Sequence, residues 1–252
     1  MNKTILIYLI IVIVLVGAIS LSYFTAEAND VPGAFGIILI SSWIPTLAAV
    51  ATLLLTRQKA ELGRLIRSIR IDTGFKRALP YILGYTALLT ILLIGAGVIF
   101  GLKTPYTAAQ ILLNIPILLF TGAIGEELGW RGLLLTQLLK KYKLVAASLV
   151  SGAIWALFHL PLWFAPELGY SQLSFPVFGI SVLAATFLYA VIFIISGGNL
   201  LTVIIFHFTQ NFGLAFPINM NISAADFFMV YAGVNVISAV LIIIFRRHFE
   251  VI

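Results

Sequence analysis

Six side chains in this sequence have the types and spacing for acid–base chemistry: Glu126, Glu127, Arg131, His159, His207 and Asn211. Glu127 and Arg131 stand four apart, one helical turn, and can pair along one face. Glu126 is rotated ~100° from Glu127, so it is left over to act as a general base. His207 and Asn211 are also four apart and share a face. A carboxylate, an imidazole and a His/Asn pair on three segments make up an acid–base and oxyanion set. Their setting makes them informative, because all three segments are apolar runs. An ionisable group at the centre of a bilayer costs about 3 kcal/mol or more and marks a functional site by default.

The elements that must position these groups are membrane helices. The chain has 252 residues, 62% hydrophobic and only 10% charged, whereas a soluble domain carries about 25% charged residues. The expected fold is therefore an all-α, polytopic integral membrane protein. Taking ~20 residues per span, eight apolar segments qualify. They are Thr4–Phe24, Phe35–Thr56, Pro80–Phe100, Ala108–Leu139, Leu144–Phe164, Val177–Ile195, Leu200–Phe216 and Phe227–Phe245. The ~10-residue alternating segments of a closed barrel are not seen. The first apolar run is longer than the core of a cleaved signal, about 7–15 residues, so it is expected to be retained. No repeat or linker breaks the chain, so residues 1–252 are expected to form one domain.

The charges orient the bundle. Arg57, Lys59, Arg64, Arg67, Arg70, Lys76 and Arg77 lie between the second and third segments, and Lys140, Lys141 and Lys143 between the fourth and fifth. Lys3, Arg246 and Arg247 fall on the same side, and the opposite loops carry Lys103 beside Glu27, Asp30, Glu167 and Asp226. The positive-inside rule then places both termini in the cytoplasm. Leu62, Leu65, Ile66 and Ile69 recur at helical spacing among the arginines, which predicts a short amphipathic helix on anionic headgroups. The net charge of +6 sits in these loops, and no nucleic-acid partner is expected. The absence of cysteine excludes a disulfide framework, a zinc–thiolate site and a thiol nucleophile.

Depth ties the polar groups together. At ~1.5 Å per residue, Glu126 lies about 20 Å in from Lys140 and His159 about 22 Å in from Lys143. His207 and Asn211 lie roughly 13 and 20 Å in from Gly198. Three helices thus bring polar groups to one slab. Gly122, Gly125 and Gly129 would let neighbouring backbones approach and leave room for water beside Glu126. With no mid-span lysine and no acidic residue beyond the Glu pair, an ion-relay transporter is disfavoured. Nor is there the repeat symmetry of a transporter.

These residues resemble a known family. Glu126-Glu127-Leu128-Gly129-Trp130-Arg131 is similar to the Glu-Glu-x-x-x-Arg motif of the CPBP intramembrane proteases. That family holds the CAAX prenyl endopeptidases of the Rce type and the bacterial Abi proteins. Trp155-Ala156-Leu157-Phe158-His159 resembles its Phe-x-x-x-His motif, and His207-Phe208-Thr209-Gln210-Asn211 its His-x-x-x-Asn motif. Trp155 keeps an aromatic ring where the family has Phe, a departure expected to touch packing and not chemistry. The resemblance covers about Thr107–Phe216, which would be the protease core of a conical or bundle-like helical fold.

The resemblance implies an intramembrane endopeptidase in a prokaryotic cell membrane. Glu126 and His159 would activate a water. His207 and Asn211 would polarise the scissile carbonyl, with Glu127 and Arg131 supporting them. The partners implied are the bilayer and a membrane-associated peptide or protein, cut near the cytoplasmic leaflet, with prenylated CAAX-like tails among the candidates. Glu126, His159 and His207 would also be the ligands if the enzyme held zinc or another divalent metal in a His₂Glu site. No His-Glu-x-x-His occurs to support a zincin. The alternative is a non-enzymatic immunity or signalling protein that keeps the fold.

Overall fold

A computed structural model describes residues 3–29, 34–99, 113, 115–165, 170–215 and 224–245, and among these the chain is helical with no strand. Asp30, Lys103, Glu167, Arg246, Arg247 and the side chain of Asp226, all used in the charge reading, lie outside the described residues, as do residues 107–112 and Phe216. Five described helices are long and apolar enough to cross a membrane, and two shorter apolar helices, Ser41–Leu55 and Leu200–Phe212, accompany them. The protein is an all-α polytopic membrane protein.

The chain order is α1 (Lys3–Ala28), α2 (Ala34–Ile40), α3 (Ile44–Leu55), α4 (Lys59–Arg67) and α5 (Thr73–Ile99). The motif helix α6 (residues 115–139) follows, then α7 (Leu144–Phe158), α8 (Phe175–Ile195), α9 (Leu200–Ala215) and α10 (Ala224–Phe245). The expected span Phe35–Thr56 is broken. A 3₁₀ turn over Ser41–Trp43 separates α2 from α3, and Pro45 sits in the first turn of α3, where its missing N–H costs nothing. The expected span Leu144–Phe164 also changes form. Its α-helix stops at Phe158, His159 caps it, and a 3₁₀ turn over Leu160–Phe164 follows. Pro161, without an N–H, cannot continue the α ladder.

α8 lies at the centre, packed against α7, α9, α10 and α5, while α1 packs on α3. In lipid there is no hydrophobic drive between helices, so association rests on close packing and small residues. α6 shows how. A Cβ on Gly125 would lie 2.7 Å from the Ser42 carbonyl oxygen, and one on Gly129 would lie 2.3 Å from that of Pro45. These two glycines, one turn apart, seat α6 against the turn that breaks the second span.

The winding of α6 is unusual. It follows π geometry over Leu119–Ile124 and Leu128–Leu135, with one α turn, Gly125–Glu127, between. π segments are rare and often accompany functional sites. On the basic-loop side, the α8–α9 turn and the α4–α5 turn are tied together. Asn199 Nδ2 donates to the Arg70 carbonyl at 2.8 Å and to Asp72 Oδ1 at 2.9 Å, and Leu200 N–H donates to the Ser68 carbonyl at 3.1 Å. α4 forms where the amphipathic pattern predicts it, with Leu65 buried and Ile66 exposed.

Candidate active site

Glu126 is buried at the middle of α6, and its Oε2 accepts two indole N–H groups, from Trp130 at 3.0 Å and Trp155 at 2.6 Å. Charge-assisted bonds of this kind are roughly twice as strong as neutral ones. No hydrogen bond reaches its Oε1 from the described residues, and Glu126 lines a cavity of about 330 Å³. The Trp155 substitution therefore touches chemistry as well as packing: a Phe at that position would bring a ring but no donor.

Glu127, the neighbouring carboxylate, is fully buried and turned elsewhere. Its Oε1 accepts from Arg131 Nη1 at 2.9 Å and from His207 Nδ1–H at 2.6 Å. The Arg131 guanidinium lies between two aromatic faces, 4.4 Å from the Trp155 ring centroid and 4.0 Å from that of Tyr189. Its Nε and Nη2, and Glu127 Oε2, are buried without a hydrogen-bond partner among the described residues. The ring faces stand in for oxygen acceptors, since a desolvated cation–π contact contributes about 2 kcal/mol.

The two histidines are each tied at Nδ1. His159, at the C-terminal end of α7, donates from Nδ1–H to the Trp155 carbonyl at 2.8 Å, and its ring packs against Trp155, Phe158 and Phe178. His207 is held by Glu127. Once Nδ1 carries the hydrogen, Nε2 of a neutral imidazole is the acceptor. His207 Nε2 and Asn211 Nδ2 lie 3.7 and 2.6 Å from where a Cβ on Gly122 would stand. Gly122 is thus the gap that admits Asn211 beside α6. Glu126, His159, His207 and Asn211 all line the same cavity.

Residues 108–213 match the family model described as type II CAAX prenyl endopeptidase Rce1-like. Over this segment the chain is similar to that family. A 52-residue stretch is 44% identical to the CAAX prenyl protease 2 of Methanococcus maripaludis, covering 20% of this chain and 19% of that protein. The match therefore spans about a fifth of the length of that curated relative.

The structure adds residues that motif reading passed over, two within the Rce1-like segment and one beyond it. Trp130 lies one turn beyond Glu126, and the same spacing rule that pairs Glu127 with Arg131 could have found it. Tyr189, on α8, has no motif and meets Arg131 only through the fold. Tyr231, on α10, lines the cavity and donates its hydroxyl to Gln210 Oε1.

Tethered Nδ1 atoms and free Nε2 atoms are the usual posture of ligating histidines. Yet among the described residues no three His, Asp or Glu side chains gather closely enough to hold one ion, and Glu126 Oε2 already takes two indole donors. The side chains as they stand do not form a His₂Glu zinc site.

Proposed function

We propose that the protein is an intramembrane endopeptidase of the CAAX-protease type, acting on a membrane-associated peptide or protein. The observation that carries this reading is the meeting of Glu126, His159, His207 and Asn211 at one cavity inside a bundle of membrane helices. A prenylated CAAX-like tail is one substrate class, by likeness to the relative's name. Both termini lie on the cytoplasmic side in this reading, as the basic loops require.

A water held between Glu126 Oε1 and His159 Nε2 gives up a proton to Glu126, and its oxygen bonds to the scissile carbonyl carbon. Asn211 donates from Nδ2 to the developing oxyanion. His207, aimed by its bond to Glu127, polarises the same oxygen in its imidazolium form, in which Nε2 also carries a hydrogen. The proton on Glu126 then passes to the leaving amine as the C–N bond breaks, so one water yields one carboxylic acid and one amine. General base help contributes about 10²–10⁴ in rate, and each oxyanion donor about 10²–10³.

The test uses purified full-length protein in liposomes with a membrane-anchored peptide panel. Glu126→Ala and His159→Ala are expected to stay folded and to lose cleavage, while a chelator leaves the wild type active. Undiminished cleavage by Glu126→Ala would refute the mechanism, and loss of wild-type cleavage on chelation would reinstate a metal.

A further inference from the structure

The cavity is not centred in the bundle. On α6 its lining runs from Ile117 to Glu126 and takes nothing from residues 127–139. α7 contributes only from Trp155 onward and α9 only from His207 onward; on α8 and α10 the lining stops at Tyr189 and Tyr231. On α6, α7 and α10 this is the half of the helix away from the basic loops; on α9 it starts near mid-helix, and on α8 it reaches past the middle to Tyr189. α3 and α5, whose ends border the most basic loop, contribute nothing.

The other half is solid. Leu133, Leu134, Leu138, Leu53, Leu65 and Val203 fill it and are buried. Beyond them, Asn199 ties the α8–α9 turn to Arg70 and Asp72. Toward the cavity end, by contrast, Ser41, Thr121, His159, Tyr170 and Asn211 are partly exposed. A water or peptide coming from the basic-loop side would have to displace a close-packed leucine layer.

We infer that the cavity is entered from the extracytoplasmic face, so that the substrate is a membrane-anchored peptide segment already presented on that side of the bilayer. This rests on reading the cavity as the protease site and on the orientation that the basic loops give. It is the alternative to cleavage near the cytoplasmic leaflet, the side on which a prenylated CAAX-like tail would be presented. Chemistry narrows the segment further. Among the described lining residues there is no lysine or arginine, and Glu126 is the single carboxylate. An uncharged stretch around the scissile bond matches such walls, since an unpaired charge there would be costly.

The chain has no cysteine, so single-cysteine variants can be labelled without background. Thr121→Cys and Ser41→Cys report the cavity, and Lys141→Cys reports the basic loops. The probe is a membrane-impermeant maleimide, applied to intact cells and to inverted vesicles holding the full chain. The expected result is labelling of Thr121→Cys and Ser41→Cys in intact cells and of Lys141→Cys only in inverted vesicles. Labelling of both cavity positions only in inverted vesicles, or from neither side, would overturn the inference, as would labelling of Lys141→Cys from outside. Because labelling does not need cleavage, a protein that labels as expected but cleaves nothing would sink the protease reading alone.

Discussion

The two halves of α6 face different worlds although their key carboxylates are adjacent. Above, residues 117–126 border open space and polar groups. Below, residues 127–138 are packed against α3, α4 and α9, with Glu127, Trp130, Arg131 and three consecutive leucines all buried. Glu126 keeps one oxygen uncommitted toward the cavity. Glu127 spends its Oε1 on a guanidinium and an imidazole. The contrast teaches a division of labour: the sealed half fixes the charges, and the open half is the part to which the proposed mechanism assigns chemistry. Preorganised groups in a low-dielectric site cost no reorganisation during reaction.

The sealed half should fail by unfolding. Arg131→Met leaves Glu127 buried against His207 alone, and breaking a buried pair costs about 3–5 kcal/mol. A large drop in the denaturation midpoint in detergent is expected, and an unchanged midpoint would break the comparison. Gly129→Ala should also destabilise, by about 1–3 kcal/mol, because its Cβ would meet the Pro45 backbone at 2.3 Å. Gly179→Ala on α8 has nothing within 4 Å of its Cβ and is expected to leave the midpoint unchanged or raise it.

The open half should fail by rate. Trp155→Phe keeps a ring between Arg131 and the histidines but removes the donor at 2.6 Å from Glu126. One charge-assisted bond contributes about 1.5–3 kcal/mol, so kcat is expected to fall at least about tenfold with KM little changed. An equal rise in KM would assign Trp155 to substrate packing instead.

The smallest effect belongs to the loop latch. The Phe75 N–H, then Arg70 and Asn199, hold the Asp72 carboxyl down at about 2, below its ordinary 3.8. Its folded pKa is depressed, so its contribution is present above the ordinary value and is lost as pH falls toward about 2. Asp72→Asn should lower the midpoint slightly at neutral pH and flatten its fall with acid. A parallel fall in both proteins would remove Asp72 from the latch.

Much of this was legible in the sequence because it is local. The one-turn spacing of Glu127 with Arg131, and of His207 with Asn211, survives into the fold. Thr4–Phe24 and Val177–Ile195 mark their helices to within four residues, while α5 starts at Thr73, seven residues before Pro80. What was not legible depends on distant contacts or on backbone detail. Ser41–Pro45 reads as part of one span, and only its packing under Gly125 and Gly129 shows why it turns there. Depth counted at the α-helical rise could not foresee the π winding of Leu128–Leu135, which shortens that count. Trp155 looked like an aromatic replacement because its N–H acquires a partner only when α7 meets α6. Tyr189 needs α8 beside Arg131 to acquire a role.

The central claim is that two adjacent carboxylates do different work, and Glu126→Gln tests it most directly. That variant keeps an acceptor oxygen for the indoles but cannot take a proton from water. Single-turnover cleavage should fall by about 10³-fold or more while the denaturation midpoint stays near the wild-type value. A Glu126→Gln protein that cleaves within about tenfold of wild type, or that loses its fold as Arg131→Met does, would contradict the account.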